Sequence, residues 1–327
     1  MKTLDCNILV TGGAGYIGSH TCKALANSGF TPVVYDSLLR GNSSAVKWGA
    51  LEVGDLKDVE RLRDVMRRYR PAGVIHFAAL AYVGESMQSP LIYYDNNVGG
   101  SVSLLRAMAK EGVKHLVFSS TCATYGVPEV NPIREDMPQN PINPYGRSKL
   151  MVEQILKDSM KEELISAVAL RYFNAAGADA EGQIGENHEP ETHLIPLAFK
   201  AVQGTTPPLT VFGRDHPTSD GTCIRDYIHV TDLADAHVRA LEYTFNNQGF
   251  SAFNLGTGKG NSIMELLKAA KDVTGREIPF SVGPRRAGDP AELVADPSLA
   301  LKVLGWRPQH SNLGNILQTA WAWMQRE

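Results

Sequence analysis

Short apolar runs recur along the first half of the chain, separated by longer segments of mixed polarity. Those over 7–11, 32–36, 51–56, 73–79, 115–121 and 166–174 are rich in Val, Ile, Leu and Phe and are flanked by Gly, Asp, Asn or Ser. Runs this short with such flanks read as buried strands. Between them, 19–28, 61–69 and 100–111 read as helices, the first closed by Gly29 and the last opened by Tyr94-Asp-Asn96-Asn97-Val98. A further helix starts near Tyr145, after a loop marked by Pro138, Pro141 and Pro144. It keeps Met151, Ile155 and Met160 at helical spacing. Strands alternating with helices predict an α/β fold, a Rossmann-like doubly wound parallel sheet. Its crevice lies at the carboxyl ends of the strands, where Asp36, Asp55, Phe77 and Thr121 fall.

After residue 174 the pattern loosens. Residues 177–192 are polar and glycine-bearing. Then come a helix over 194–203, a short strand over 209–212, a loop into a strand over 220–230, and a helix over 232–243. A strand and turn over 253–258, a helix over 262–274 with Ser262 as N-cap, a basic loop over 285–289 and a final helix complete the chain. This predicts a nucleotide-binding domain over 1–174, with 226–258 returning to it. A smaller C-terminal α/β domain, mainly for substrate, takes 175–327.

Composition narrows the function. The chain has 327 residues, 43% of them hydrophobic, and a net charge of −3. That charge implies no general attraction to nucleic acid or acidic membranes, and no apolar run approaches the ~20 residues of a membrane span. The N-terminal residues show no basic region followed by an apolar stretch, so no secretory leader is expected. Cys6, Cys22, Cys122 and Cys223 are scattered, which suits reduced thiols in the cytoplasm. Cys122 sits beside the candidate site, where simple packing is expected. Glu186, His188, Glu189 and Glu191 cluster in the polar loop, but their spacing fits no standard ligand set. A solvated loop and no metal are therefore expected. His76 and His115 lie in strands and are expected to be structural.

Two motifs carry chemistry. Glycines at 12, 15 and 18 follow the first strand and open the first helix, and Asp36 ends the second strand. The first glycine permits the tight turn, the second lets a pyrophosphate approach the backbone, and the third lets helix and strand pack closely. The helix N-terminus then faces the phosphates. Asp36 would accept from both adenosine ribose hydroxyls and repel a 2′-phosphate, which favours NAD over NADP. Arg40 nearby is read as a surface charge. Asp55 is placed to meet the adenine.

The second motif is Tyr145-Gly-Arg-Ser-Lys149, which puts a phenol and an ammonium on one helix face, one turn apart. A tyrosine pKa near 10 must fall by about 3 to work at neutral pH, which is roughly 4 kcal/mol. One ammonium about 5 Å away supplies ~3 kcal/mol at an effective dielectric of ~20. A second positive charge is wanted, and an oxidised nicotinamide ring would provide it.

Taken in order, these stretches closely resemble the extended short-chain dehydrogenase/reductase superfamily, and within it the UDP-glucose (UDP-galactose) 4-epimerases. The likeness covers essentially the whole chain. It rests on Thr11-Gly-Gly-Ala-Gly-Tyr-Ile-Gly-Ser-His20, His76-Phe-Ala-Ala79, Val83-Gly-Glu-Ser86, Tyr93-Tyr-Asp-Asn-Asn97 and Tyr145-Gly-Arg-Ser-Lys149. Further along it rests on Arg171-Tyr-Phe-Asn174, Gly221-Thr-Cys-Ile-Arg-Asp-Tyr-Ile-His-Val230, Asn254-Leu-Gly-Thr-Gly258 and Arg285-Arg-Ala-Gly-Asp289.

The resemblance implies roles. Tyr145 would be the catalytic base, Lys149 the ribose ligand and pKa modulator, and Thr121 the hydroxyl bonded to the sugar O4. NAD would meet Gly12, Gly15, Tyr16, Ile17, Gly18, Asp36, Ser37, Asp55 and Leu56. It would also meet Phe77, Ala78, Ala79, Asn96, Ser119, Tyr145, Lys149 and Tyr172. The UDP-sugar would be held by Asn174, with Leu194 and Phe212 about the uracil. Arg225, Arg286 and Asp289 would hold the diphosphate and uridine ribose. The expected reaction is a redox-neutral inversion at C4 through a transient 4-keto sugar, with NAD retained.

Three positions depart from many relatives. Ala81 stands where a cofactor-binding lysine is common, and His193 stands where some carry Asn beside the uracil contact. Leu293 is intermediate in size at the position that limits the sugar pocket, which leaves N-acetylated substrates open. The stretch Ala81-Tyr-Val-Gly-Glu-Ser86 resembles plant UDP-arabinose 4-epimerases, so UDP-arabinose/UDP-xylose epimerisation or dual specificity is the alternative. A 4,6-dehydratase would want Asp-Glu after the hydroxyl residue, whereas Cys122-Ala123 follow Thr121. A non-catalytic NAD sensor could dispense with the Tyr145/Lys149 pair, and both residues are present. The resemblance also implies a homodimer packed through helices over 100–111 and 150–161.

Overall fold

The computed structural model describes residues 6–159, 165–286 and 289–326. Met160 and Lys161, expected at the end of one helix, and Ala287 and Gly288 of the basic loop lie outside the described residues, as do 1–5 and 327.

Seven parallel strands form the central sheet. In chain order they include β1 (Cys6–Thr11), β2 (Phe30–Asp36), β3 (Ala50–Val53), β4 (Gly73–His76), β5 (His115–Ser119) and β6 (Ser166–Tyr172). Their side chains alternate between two buried faces. Ile8 and Val10 point to one core with Leu25, Val34, Leu233 and Leu241, while Leu9 points to the other with Val33, Leu62, Met108 and Leu156. Burial on both faces explains why the strands read as continuous apolar runs.

Helices α1 (Tyr16–Asn27), α2 (Val59–Tyr69), α3 (Val83–Gln88), α4 (Pro90–Tyr93), α5 (Gly100–Glu111) and α6 (Pro144–Ser159) cover this half. Asp58 caps α2 by accepting from the Arg61 N–H at 3.0 Å, while Arg67 and Arg68 in the last turn suit the carbonyl end of the helix. The segment expected to open α5 as ordinary helix is a π-helical turn, Tyr94–Gly99. The Asn97 side chain there accepts from Leu80 N–H at 2.8 Å and donates to Leu80 O and Ser148 Oγ, both at 3.0 Å. It thus clips the crevice loop to α6.

The remaining strands are β7 (Asn174–Ala176), β8 (Leu209–Phe212), β9 (Ile224–Arg225), β10 (Tyr227–His229), β11 (Phe250–Leu255), β12 (Asn261–Ser262), β13 (Phe280–Gly283) and β14 (Glu292–Leu293). The large sheet runs β11-β6-β5-β4-β1-β2-β3, so β11 closes its edge from late in the chain. Strand order reverses between β1 and β4, where a ligand crevice opens. Helices α7 (Leu194–Gln203), α8 (Val230–Asn246), α9 (Ile263–Thr274), α10 (Ser298–Leu304) and α11 (Leu313–Met324) complete the chain. α8 packs against α1 on the sheet, and α7, α9 and α11 enclose a separate core around Phe199, Leu266, Ile316 and Leu317. Ser262 Oγ caps α9 by accepting from Glu265 N–H, and the Glu265 carboxylate accepts in return from Ser262 N–H.

Candidate active site

The chain bends tightly after β1 because Gly12 takes φ +73, and a Cβ there would lie 2.5 Å from Ala78 N. At Gly18 a Cβ would lie 2.3 Å from Gly12 O, so α1 packs onto the turn only without a side chain. Gly15 differs. A Cβ there would meet only Gly12 O, at 3.3 Å, and would otherwise project into open space at the N-terminus of α1. Beside it the Asp36 carboxylate accepts from Ala14 N–H at 3.0 Å and Leu38 N–H at 2.8 Å. Burial raises the Asp36 pKa, and those two N–H groups oppose the rise. A cradle with a bare helix N-terminus and a fixed acid at its rim fits a dinucleotide. Gly15→Val is therefore expected to keep wild-type stability within about 1 kcal/mol and to lose bound cofactor. Gly18→Ala is expected to lose stability as well. Urea unfolding and the nucleotide released on denaturation check both.

Tyr145 and Lys149 project from the first turns of α6 into the same crevice, and both are buried. Lys149 Nζ donates to Ser119 O at 2.7 Å and lies 6.0 Å from the Tyr145 ring centroid. Burial pushes the Tyr145 phenol well above its ordinary value, and a hydrogen bond to Thr121 opposes this. Burial also pulls the Lys149 ammonium down to about 7. With its pKa raised, Tyr145 is ionised less than free tyrosine at neutral pH, so phenolate formation needs a further cation. In nucleotide-free protein the native state binds fewer protons than the unfolded chain between pH of about 7 and the ordinary lysine value of 10.5. Stability relative to Lys149→Met should thus rise across that window, by up to about 1.4 kcal/mol per pH unit, and be lost as pH falls towards 7. Urea titrations at several pH values check this.

Beneath the pair lies a polar frame. Glu153, the next residue on the Tyr145/Lys149 helix face, accepts from Arg171 Nε at 3.0 Å and Nη2 at 2.6 Å, and from Ser120 Oγ at 2.5 Å. Arg171 Nη1 donates to Tyr125 OH at 2.8 Å, and Tyr125 donates to Asn254 Oδ1 at 2.7 Å. These bonds fix Ser120, and with it Thr121. Sequence reading missed Glu153, although its place one turn beyond Lys149 was the available signal. Cys122, next to Thr121, has its thiol pushed up to about 12 by burial, in keeping with packing. His76 is satisfied by Thr11 Oγ1 at 2.7 Å and Ser101 Oγ at 2.9 Å.

At the other end, Arg225 pairs with Asp289 and donates to Pro290 O at 2.9 Å. The Arg286 guanidinium stacks 4.0 Å from the Phe212 ring centroid. Asn174, His193, Leu194 and Leu293 line the same wall. Every residue assigned to the site from sequence lines one cavity, including Tyr16, Ile17, Ser37, Asp55, Leu56, Phe77, Ala78, Ala79, Asn96, Ser119 and Tyr172. The cavity measures 1940 Å³. A pocket of about 300–1,000 Å³ holds one drug-sized ligand, so there is room for two nucleotides end to end. Among the described residues lining it, Lys149 is the only lysine, and Ala81 leaves the opposite wall without one.

The loop over 186–193 is exposed at Asn187, Glu189, Pro190, Thr192 and His193, in line with a solvated loop, but two of its carboxylates are tucked inward. The Glu186 and Glu191 side chains are 7% and 4% exposed, and His188 and His193 turn towards them.

Residues 8–256 match the model of the NAD dependent epimerase/dehydratase family. A UDP-glucose 4-epimerase of Rhizobium meliloti (strain 1021) is 54% identical over 98% of this chain and 97% of its own. A crystal structure of UDP-glucose 4-epimerase from Brucella ovis in complex with NAD superposes with a TM-score of 0.95 at 54% identity, covering 97% of this chain and 98% of that one. That of Stenotrophomonas maltophila, with bound NAD and formylated UDP-arabinopyranose, gives a TM-score of 0.95 at 42% identity, covering 98% of each chain. The motifs, the parallel sheet and these full-length likenesses agree: the chain belongs to the NAD dependent epimerase/dehydratase family of the extended short-chain dehydrogenase/reductases, in the branch of the UDP-glucose 4-epimerases.

Proposed function

We propose that the protein is an NAD-dependent epimerase that interconverts UDP-galactose and UDP-glucose by inverting C4 of the sugar. The observation that carries this is the meeting of Tyr145, Lys149 and Thr121 in one cavity that also takes in the dinucleotide cradle and two arginines. NAD, when bound, supplies a reversible two-electron acceptor for C4. Tyr145 takes the proton from the sugar 4-hydroxyl and returns it after the sugar has turned over. Thr121 holds the sugar oxygen beside the phenol. Lys149 keeps its ammonium against Ser119 O, where a ribose hydroxyl and the phenolate both benefit. Arg225 and Arg286 hold the diphosphate, since guanidinium forks suit phosphate oxygens. Leu194 and Phe212 flank the uracil, and Leu293 bounds the space in which the sugar turns.

Proton NMR of purified protein with UDP-galactose and no added NAD tests the reading. Conversion to UDP-glucose supports both the reaction and a retained cofactor. No conversion, even with NAD added, rejects it. A second reading, C4 epimerisation of UDP-pentoses, is favoured by the bound UDP-arabinopyranose derivative in the Stenotrophomonas maltophila neighbour. The same assay with UDP-arabinopyranose tests it.

We infer a homodimer from an exposed apolar patch. Val83, Met87, Leu91 and Ile92 on α3 and α4, with Met151 on the adjacent α6, are all exposed. The patch lies beside α6, one of the two helices, over 100–111 and 150–161, expected at the contact, and supports a dimer packed on that side. Sedimentation showing only a 35.6 kDa species would reject it. Four free cysteines support a cytoplasmic location. No helix among the described residues is long and apolar enough to cross a membrane.

A further inference from the structure

The loop before α7 brings together four side chains whose spacing along the chain matches no standard ligand pattern. One ligand atom from each of Glu186, His188, Glu191 and His193 lies within 4.8 Å of all the others. His188 Nδ1 stands 3.2 Å from Glu186 Oε1 and 3.9 Å from Glu191 Oε2. His193 Nδ1 meets the same Glu186 oxygen. Glu191 is held in place, because its Oε1 accepts from the backbone N–H groups of Thr192 and His193 at 2.7 and 2.8 Å. Its Oε2 is left facing the cluster. His188 Nδ1 is buried between the Glu186 and Glu191 carboxylates, which push its imidazole up to about 9. Two imidazole nitrogens and two nearly buried carboxylates thus converge on one point.

We propose that Glu186, His188, Glu191 and His193 form a four-coordinate site for a divalent cation of the zinc type, at the mouth of the cleft. The donor set decides the class of metal. Two nitrogens with two oxygens suit zinc and its borderline neighbours, whereas calcium and magnesium want six or more oxygens. Charge also matches, since two carboxylates and two neutral imidazoles balance a 2+ ion. Bonds of about 2.0–2.2 Å in a tetrahedron set ligand atoms roughly 3.4 Å apart, so side-chain shifts of an ångström or so close the site.

The cation would hold the loop as a wall of the cleft. The His188 ring packs edge-on against Tyr16 and Tyr82, with centroids 6.1 and 6.2 Å away. Arg40 Nη1 donates to Glu189 O at 3.1 Å. Four protein ligands leave no open position for substrate, so the ion is structural. It ties the start of α7 to the glycine turn through Tyr16.

Tag-free protein stripped with a chelator and titrated with Co(II) provides the test. We expect about one equivalent to bind, with the intense visible absorption of a four-coordinate ion. Loss of partners that merely orient a ligand weakens metal binding about 10–100-fold. His188→Ala/His193→Ala, which removes two ligands, should lose more than that. Glu189→Gln, beside the cluster but outside it, should bind as the unaltered protein does. Circular dichroism shows whether the double variant folds, and if it does not, Glu186→Gln decides by the same titration. Failure of the unaltered protein to take up Co(II) or Zn(II), or undiminished uptake by a folded ligand variant, overturns the proposal.

Discussion

Tyr145→Phe is expected to lower kcat by about 10²–10⁴-fold while leaving the fold and the cofactor in place. The ring is buried against its neighbours, and phenylalanine keeps that packing. Only the hydroxyl is lost, together with its hydrogen bond to Thr121. No second group replaces it. The neighbouring Tyr172 hydroxyl is engaged by Ser119 Oγ at 2.6 Å, and the Cys122 thiol is pushed up to about 12. Steady-state assays with UDP-galactose, with bound nucleotide measured after denaturation, check both halves of the statement. A variant retaining kcat within tenfold would show that another group carries the proton. Loss of nucleotide would mean that Tyr145 binds rather than reacts.

The second large effect concerns stability. Glu153→Ala should cost about 3–5 kcal/mol, because it strands a buried guanidinium. The side chains of Arg171 and Glu153 are 3% and 0% exposed, and Ser120 and Tyr125 share the network. Arg171→Met should cost a similar amount by stranding the carboxylate. The double replacement Glu153→Leu/Arg171→Met should recover most of the loss, since an apolar pair of similar volume often equals a buried ion pair. Urea unfolding of the three variants measures this. A single replacement costing under about 1 kcal/mol would show that the pair behaves like a surface bridge. Because Glu153 also holds Ser120, kcat should fall in Glu153→Ala and stay low in the double replacement.

What the sequence made legible was local. The glycine turn, Asp36 at the next strand end and the Tyr145/Lys149 spacing each lie within one element or one βαβ unit, so periodicity exposes them. Strand ends were set too late. Residues 77–79 and 120–121 keep an apolar or small character but leave the ladder to line the crevice. Helix α1 begins at Tyr16 rather than 19, because Gly18 sits inside it for packing and not as a breaker. Contacts between distant segments stayed hidden. Glu153 and Arg171 are 18 residues apart, and Asn97 and Leu80 are 17 apart. The convergence of Glu186, His188, Glu191 and His193 was hidden for a related reason, since spacing along the chain does not show which side chains the fold of a loop brings together.

The placement of β11 has a consequence for synthesis. Strand β6 ends at Tyr172 and its outer neighbour β11 ends at Leu255, 83 residues later. Ribosomes add about 5–20 residues per second, so β6 waits roughly 4–17 s with its hydrogen-bonding edge bare. A naked strand edge invites pairing with other chains. The nascent protein is therefore most vulnerable just after its nucleotide half has emerged, and this is when a chaperone has most to offer it.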